Sequence, residues 1–294
     1  MATTAFKFPD ISPELFSFNL GGFEFALRWY ALAYIVGIII ALQIIKFLLS
    51  KENLWSFKTP PMAKSQTDDL ITFLILGIII GGRSGFVFFY QLEYYLHNPW
   101  EIFMVWQGGM SFHGGLIGVI LATLWFCHRN SLPVLSVGDL IAVATPPGIF
   151  LGRLSNFVNS ELWGRPTEWS FGVVFPGTLA QSCPGYSEPC ARHASQLYEA
   201  GLEGLILGCI MLWLAVNKKW LTKPGCLIGV FIFAYGLFRF LVEFFRQPDS
   251  YFITNENPLG YLLSSSNLSL TMGQVLSLPM IIFGLLIIIL RYKK

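Results

Sequence analysis

Long apolar runs separated by short polar segments dominate the pattern of this chain of 294 residues. Seven of these runs approach the roughly 20 apolar residues that an α-helix needs to cross the hydrocarbon core of a bilayer. They lie near residues 29–49, 69–90, 111–128, 137–158, 196–216, 225–245 and 272–290. The third and fifth runs are the weakest, because polar groups lie at or near their starts. The pattern predicts an all-α polytopic membrane protein with about seven transmembrane helices.

The segments outside these runs are short. Residues 1–28 alternate apolar and polar groups, which predicts an extracytoplasmic N-terminal arm of short extended pieces. Residues 159–195 form the largest soluble part, an extracytoplasmic head segment. Neither an internal repeat nor a low-complexity linker divides the chain, so we expect residues 1–294 to form a single membrane domain.

Composition supports this class. Hydrophobic residues make up 54% of the chain and charged residues 12%, and a soluble domain could not bury that much apolar surface. The formal net charge is only +2, and there is no basic patch with interleaved aromatic residues. We therefore expect no nucleic-acid partner.

Lysine and arginine residues concentrate in alternate loops, which predicts the orientation of the chain. Short cytoplasmic loops retain positive charge. Basic residues follow the first, third and fifth runs and end the chain, whereas segments 91–110 and 247–271 contain none. The N-terminus is therefore expected outside and the C-terminus in the cytoplasm. The first 25 residues lack the pattern of a cleavable signal peptide, so the first run is expected to direct insertion.

Charged and amide side chains lie near the outer ends of two runs. Arg153 and Asn156 end the fourth run, and Arg239 and Glu243 lie near the outer end of the sixth. An ionised side chain in hydrocarbon costs roughly 3 kcal/mol on insertion scales, so these groups should face the bundle interior. Each pair shares one helical face by its spacing. The set predicts a cavity that opens at the outer half of the bilayer, although Arg239 with Glu243 alone is also compatible with a structural ion pair.

His113 opens the third run and is followed by Gly114 and Gly115, which let a ligand or a backbone approach closely. A lone histidine at a helix start is more often structural than catalytic. However, the free N–H groups of a helix start suit a phosphate, guanidinium groups bind its oxygens, and neutral imidazole can accept a proton. Together these groups predict a phospholipid headgroup as substrate. Arg83, flanked by glycines, is compatible with either a packing anchor or a substrate ligand.

Cysteine and histidine spacing bears on disulfides and metals. Cys183 and Cys190 enclose a Pro- and Gly-containing loop in the head segment, where both a disulfide and two free thiols are compatible with the sequence. No Cys-x-x-Cys pair or His-Glu-x-x-His run occurs, and the four histidines are scattered. We therefore expect no metal site and no other cofactor.

Several motifs resemble the bacterial prolipoprotein diacylglyceryl transferases, and the resemblance runs almost from end to end. The motifs are, in chain order, Arg28-Trp29-Tyr30; Gly108-Gly109-Met110-Ser111-Phe112-His113-Gly114-Gly115; Gly152-Arg153-x-x-Asn156-Phe157-x-Asn159-x-Glu161 with Leu162-Trp163-Gly164-Arg165; Arg192-His193-x-Ser195-Gln196-Leu197-Tyr198-Glu199; and Tyr235-Gly236-x-Phe238-Arg239 through Val242-Glu243-Phe244-Phe245-Arg246-Gln247-Pro248-Asp249. Their length and order make the resemblance specific.

The resemblance implies an enzyme of the bacterial cytoplasmic (inner) membrane with its active site toward the outer leaflet. Such an enzyme moves the diacylglyceryl group of phosphatidylglycerol onto the lipobox cysteine of a prolipoprotein, forming a thioether and releasing glycerol phosphate. This is the first step of lipoprotein maturation, and membrane lipids and prolipoprotein lipobox segments are the implied partners. The implied catalytic residues are His113 as base, Arg153, Arg239, Glu243 and Tyr30. The implied phosphatidylglycerol-binding residues are Arg153, Asn156, Glu161, Gly164, Arg239 and His193.

The chain departs from the family pattern at a few points, among them Arg28 where histidine is common, and two other functional classes are alternatives. Ser155 stands where the family usually has glycine, and Ala194 where it commonly has proline; serine preserves close packing but does not suit a positive φ. A secondary transporter of an anionic solute would also bury arginines, but it predicts inverted repeats and midplane polar groups that the sequence lacks. A non-catalytic lipid-binding scaffold would not need both His113 and the arginine pair.

Overall fold

A computed structural model of the chain describes residues 5–21, 23–183, 185–186, 189–248, 252–254, 257, 259–264 and 269–292. The chain divides into two compact units. The first unit combines Met1–Ala41 with Ala142–Lys294, and the second unit is Leu42–Ile141.

Each of the seven apolar runs coincides with helical structure, which confirms the predicted all-α class. The helices are α1 (Trp29–Leu49), α2 (Gln66–Tyr90), α3 (Leu92–His97), α4 (Phe112–Asn130), α5 (Val134–Ala144), α6 (Pro146–Val158), α7 (Thr178–Gln181), α8 (Ser195–Glu199), α9 (Leu207–Val216), α10 (Cys226–Val242) and α11 (Met272–Tyr292). Among the described residues, five helical stretches are long and apolar enough to cross a membrane: α1, α2, α5 with α6, Ser195–Val216, and α11. Helix α10 is apolar but shorter. The third run forms α4, which is not among these five membrane-length stretches. The fifth run corresponds to Ser195–Val216, which is one of them.

Two of the spans are interrupted. Thr145 separates α5 from α6, which begins at Pro146-Pro147, because proline lacks an N–H group and is tolerated only in the first turn of a helix. Between α8 and α9 the chain forms a π-helical turn, Ala200–Ile206. Such turns are rare and occur frequently at functional sites.

Glycines bring α2 and α4 into close contact in the second unit. A Cβ atom on Gly77 would stand 2.5 Å from the Gly118 carbonyl oxygen, and one on Gly85 would stand 2.8 Å from the Gly114 Cα. Glycines four residues apart on facing helices allow such backbone approach in membranes, where van der Waals packing replaces the hydrophobic effect. Close packing of this kind requires the absence of a side chain.

Short strands supply the extended pieces predicted for the N-terminal arm and complete the first unit. Strand β1 (Phe6–Lys7) pairs in parallel with β4 (Val173–Val174), β2 (Glu14–Leu20) pairs antiparallel with β3 (Phe23–Arg28), and β5 (Tyr261–Ser264) pairs antiparallel with β6 (Ser269–Thr271). Val173 of β4 belongs to a small core in the head segment. The buried members of this core are Val173, Phe175, Ala180 and Ala194, with Phe8, Phe157 and Trp163 packed against them.

A disulfide and a buried arginine hold the head segment together. Cys183 and Cys190, whose pairing the sequence left open, are bridged, with Cα atoms 6.3 Å apart. Arg192 is only 2% exposed, donates hydrogen bonds to the carbonyls of Ala180 (2.6 Å) and Ser182 (3.0 Å), and lies over the Trp163 ring. Burial lowers the pKa of Arg192 to about 10, so the guanidinium is still charged at neutral pH.

Candidate active site

Three arginines and three glutamates form a buried network in the first unit, here called the ion cluster. Its members are Arg153 on α6, Glu199 on α8, Glu203 in the π-helical turn, Arg239 on α10, and Glu243 and Arg246 directly after α10. The helical spacing of Glu199 and Glu203, and of Arg239 and Glu243, places both members of each pair on one side of their helix. The prediction that Arg153 and Arg239 face the protein interior is confirmed.

Glu199 lies at the centre of the cluster. Its Oε2 is 2.7 Å from Arg153 Nε and 3.4 Å from Arg239 Nη1, and its Oε1 is 2.5 Å from Arg246 Nη1. The carboxylate is 1% exposed. One buried carboxylate therefore orients three guanidinium groups that come from different parts of the chain.

Glu243 and Glu203 differ sharply in their contacts. Glu243 Oε2 is 3.3 Å from Arg239 Nη2 and 3.5 Å from Arg246 Nε. The Arg239–Glu243 ion pair considered from the sequence therefore exists, but within a larger network. Glu203 is 0% exposed and lies 3.9 Å from its nearest cationic partner, Arg153 Nη2. Within the described residues, neither Glu203 oxygen accepts a hydrogen bond.

The arginines are the more accessible layer of the ion cluster. The side chains of Arg153 and Arg239 are 21% and 20% exposed, whereas that of Glu199 is 1% exposed. In the part of the chain that the structure describes, Arg239 Nη1 makes no hydrogen bond of good geometry despite its proximity to Glu199. The formal charges of the six groups cancel. Guanidinium N–H donors that are oriented from behind by carboxylates can bind an anionic phosphate on their accessible side.

The chain turns back after α6 through a second set of polar contacts. Asn156 Nδ2 donates to Glu161 Oε1 at 2.7 Å, and the Glu161 backbone N–H donates to the Asn156 carbonyl at 3.1 Å. Gln196 Nε2 donates to the Glu161 carbonyl at 2.6 Å. Glu161 is exposed, so these contacts hold its carboxylate in place at the protein surface. Asn156 and Glu161, predicted as substrate-binding residues, are thus brought together.

The start of α1 contributes Tyr30. Its ring centroid is 5.2 Å from that of Tyr34. Ser155, the residue that departs from the family pattern, lies within α6 and donates a hydrogen bond to the Leu151 carbonyl at 3.1 Å. Its backbone is helical, so this position does not require glycine for a positive φ.

Gly164, which follows the turn after α6, packs against His193. The Gly164 N–H donates to the His193 carbonyl at 2.8 Å, and a Cβ atom on Gly164 would stand 2.7 Å from that oxygen. The His193 imidazole is 3.2 Å from the Tyr198 hydroxyl, and its centroid is 5.1 Å from the Phe245 ring. Burial lowers the pKa of His193, so the ring is neutral at physiological pH. Close packing explains why position 164 is glycine.

His113 lies in the second unit, where it is the second residue of α4, as predicted. Ser111 caps this helix through its Oγ, which accepts a hydrogen bond from the Gly114 N–H at 3.2 Å. The His113 side chain is exposed, and its ring centroid is 5.7 Å from that of Phe112. Arg83, on α2 of the same unit, is buried, and its hydrogen bonds to the described residues all go to backbone carbonyls. The structure thus supports an anchor at Arg83 and not a substrate ligand.

Sequence reasoning assigned no role to Glu199, Glu203 or Arg246. A signal was present, because Glu199 and Glu203 are two carboxylates four residues apart in an apolar run, and Arg246 follows Glu243 by three residues. Intramembrane carboxylates require cationic partners. Which arginines those partners are depends on contacts between helices.

Residues 16–290 of the chain match the sequence model of the family described as prolipoprotein diacylglyceryl transferase. The phosphatidylglycerol–prolipoprotein diacylglyceryl transferase of Ruegeria pomeroyi is 57% identical over 279 residues, which cover 95% of each chain. The protein of the same name from Cereibacter sphaeroides is 55% identical over 282 residues, 96% of each chain. That from Rhizobium leguminosarum bv. trifolii is 44% identical over 278 residues, 95% of this chain and 91% of the relative.

Proposed function

Because the chain belongs to the prolipoprotein diacylglyceryl transferase family, we propose that it transfers the diacylglyceryl group of phosphatidylglycerol to the lipobox cysteine of prolipoproteins. The cysteine sulfur attacks the glycerol carbon that carries the phosphate. A C–S bond forms, the C–O bond to phosphate breaks, and glycerol phosphate leaves with the bonding electron pair. The reaction begins lipoprotein maturation.

The accessible arginine layer of the ion cluster is the observation that carries this proposal. Arg153 and Arg239 bind the phosphate of phosphatidylglycerol, while Glu199 and Glu243 hold the two guanidinium groups in fixed orientations. The phosphodiester has one negative charge, and a second develops on the leaving group as the C–O bond breaks. Preorganised donors directed at this developing charge stabilise the transition state more than the ground state.

The other proposed site residues either position the substrates or act on the thiol of the lipobox cysteine. The sulfur must attack as thiolate, and His113 is the base that accepts its proton. Tyr30, Asn156 and Glu161 position the headgroup beside Arg153. His193, with Gly164 packed against it, borders the headgroup site in the first unit.

The proposed location is the cytoplasmic (inner) membrane, with the N-terminus outside and the site toward the outer leaflet. Arg153 and Arg239 lie in the final turns of α6 and α10. The segment that follows α10, 247–271, lacks lysine and arginine, as is typical of extracytoplasmic segments. Phosphatidylglycerol and the lipobox segment therefore meet the enzyme at its outer face.

Purified variants reconstituted with phosphatidylglycerol and a lipobox peptide test the proposal. We expect Arg153→Ala and Arg239→Ala each to lower kcat by about 100-fold or more and to weaken binding of the lipid. His113→Ala should abolish formation of the thioether-linked peptide while the protein still binds phosphatidylglycerol. Arg129→Ala, an exposed change at the end of α4, is the control and should behave like the natural chain.

Turnover within a few-fold of normal in either arginine variant would remove that residue from the proposed role. Solute flux in liposomes without thioether product would favour the transporter alternative. Lipid or peptide binding without any product would favour the scaffold.

A further inference from the structure

The Arg83 guanidinium is enclosed by backbone carbonyls of loop 99–110, the segment between α3 and α4. The side chain is 3% exposed and its guanidinium lies over the Tyr95 ring. Its hydrogen bonds run from Nε to Ile102 O (2.8 Å), from Nη1 to Gly108 O (2.5 Å) and Gly109 O (3.3 Å), and from Nη2 to Glu101 O and Met104 O (3.4 Å). No ion pair joins Arg83 to a carboxylate of the described residues.

Loop 99–110 consists mainly of short helical turns. It contains two short 3₁₀ turns, Pro99–Phe103 and Val105–Gln107. The carbonyls of Glu101 and Met104 each accept one hydrogen bond from within the loop, whereas those of Ile102, Gly108 and Gly109 accept from Arg83. Arg83 offers the planar set of N–H donors that a guanidinium provides. The conformation of the loop therefore depends strongly on one side chain.

The same region of α2 also holds the start of α4. The Ser111 N–H donates at 2.8 Å to the carbonyl of Gly82, the residue that precedes Arg83 in the chain. Ser111 Oγ in turn accepts the hydrogen bond from the Gly114 N–H. Residues 82 and 83 thus hold both the loop and the cap of α4, and His113 lies between the capping serine and its partner.

Two glycines let the loop turn its carbonyls toward Arg83. Gly108 has φ 85° and ψ −161°, and Gly109 has φ 78°. Both conformations are strained for residues with a Cβ atom. A Cβ atom on Gly108 would meet no other atom within 4 Å, so a substitution there strains the backbone of the loop without a steric clash.

We infer that Arg83 is a positioning residue, which orients His113 by fixing loop 99–110 and the first turn of α4. This inference rests on the proposed function, because it assigns to Arg83 a role that acts through His113. Arg83 itself is buried beneath the loop, so its effect on the reaction is indirect.

The test uses the full-length protein in nanodiscs containing phosphatidylglycerol, with Arg83→Met, Arg83→Lys and Gly108→Ala. Steady-state kinetics give kcat and KM for each substrate, and hydrogen exchange of the intact protein reports on the loop. We expect Arg83→Met to lower kcat by about 10- to 100-fold, since a small misplacement of a catalytic group costs that much. KM for phosphatidylglycerol should stay within about twofold, because the arginines of the ion cluster are unchanged.

Exchange should accelerate in residues 99–113 and remain unchanged in α10 and α11. Arg83→Lys should recover part of the lost kcat, because the ammonium retains the charge and three donors. Gly108→Ala should reproduce the fall in kcat at normal KM, while the exposed control Arg129→Met changes nothing.

Normal kcat in Arg83→Met with accelerated exchange in the loop would overturn the inference. So would a fall in kcat accompanied by faster exchange throughout the protein and a raised KM, which is the result of general destabilisation. Failure of the proposed function is recognised separately, by normal turnover in His113→Ala.

Discussion

Glu199 and Glu203 lie four residues apart, yet their surroundings differ. Glu199 contacts all three arginines of the ion cluster, whereas among the described residues Glu203 has one cationic partner within 4 Å, Arg153 at 3.9 Å. A buried carboxylate with three guanidinium partners is hard to replace, because its loss leaves buried cations uncompensated. If Arg153 binds the lipid phosphate as proposed, a carboxylate with one distant partner competes with that phosphate and contributes less to the orientation of the arginines.

Conservative changes at these two positions should therefore have opposite effects. We expect Glu203→Gln to keep kcat and to lower KM for phosphatidylglycerol by about threefold, or ~0.6 kcal/mol, because one competing negative charge is removed. Glu199→Gln should lower kcat by about 100-fold, since Arg153, Arg239 and Arg246 lose their common partner. Steady-state kinetics of the two variants provide the comparison, with Glu52→Gln, an exposed position in the second unit, as control. An increase in KM for Glu203→Gln would show that Glu203 supports lipid binding.

The pKa of His193 makes the stability of the head segment dependent on pH. Burial lowers this pKa in the folded protein, so the unfolded chain binds the proton more readily. The stabilisation is complete above the ordinary histidine pKa of about 6.5 and is lost as the pH falls through that value toward the lower folded pKa. We expect acidification from about pH 7.5 to about pH 5.5 to lower the apparent Tm by about 2 °C more in the natural chain than in His193→Gln.

Thermal unfolding in detergent measures this difference. His97→Gln is the matched control, because His97 is exposed. An equal loss of Tm in the natural chain and in His193→Gln would exclude His193 as the origin of the effect.

At the scale of elements, close helix contacts replace the apolar driving force that is absent inside a bilayer. The π-helical turn shows this in the first unit, where a Cβ atom on Gly204 would lie 2.6 Å from the Phe150 Cα. This approach between α6 and the π-helical turn brings Arg153 next to Glu199 and Glu203. Gly204 thereby helps to determine the geometry of the ion cluster through the backbone.

The α2–α4 contact gives a direct test of this role of glycine. We expect Gly77→Ala to destabilise the protein by about 2 kcal/mol, because its Cβ atom would overlap the Gly118 carbonyl and force the helices apart. Gly115→Ala on α4 is the matched control, since its Cβ atom would have only Ile78 O at 3.9 Å nearby. Unfolding in mixed micelles with increasing SDS measures both. Equal stability of the two variants would show that α2 and α4 are not held by close backbone contact.

At the scale of the whole molecule, the distribution of lysine and arginine predicts which loops face outward. We expect Trp100→Cys to react with a membrane-impermeant maleimide in intact cells, because segment 91–110 contains no basic residue. Lys58→Cys, in a lysine-containing segment, should react only after the membrane is permeabilised. Trp100 and Lys58 are both exposed, and Cys127, Cys209 and Cys226 are first replaced by serine. Labelling of Lys58→Cys in intact cells would contradict the proposed orientation.

The sequence alone determined the helical class and the approximate helix bounds, and it drew attention to several candidate site residues. Hydrophobic length is a local property of the chain, so the seven runs could be found without tertiary contacts. The same holds for Arg153 and Arg239, whose charges stand out in apolar surroundings, and for His113 at the start of α4.

Only the tertiary structure decided which groups contact one another. Glu199 meets Arg153, Arg239 and Arg246, which lie up to 47 residues away in the chain. The enclosure of Arg83 by loop carbonyls and the packing of Gly164 against His193 likewise depend on how separate segments approach. Hydrogen bonds and ion pairs act over a few ångströms, so their partners are set by folded distances that residue order does not specify.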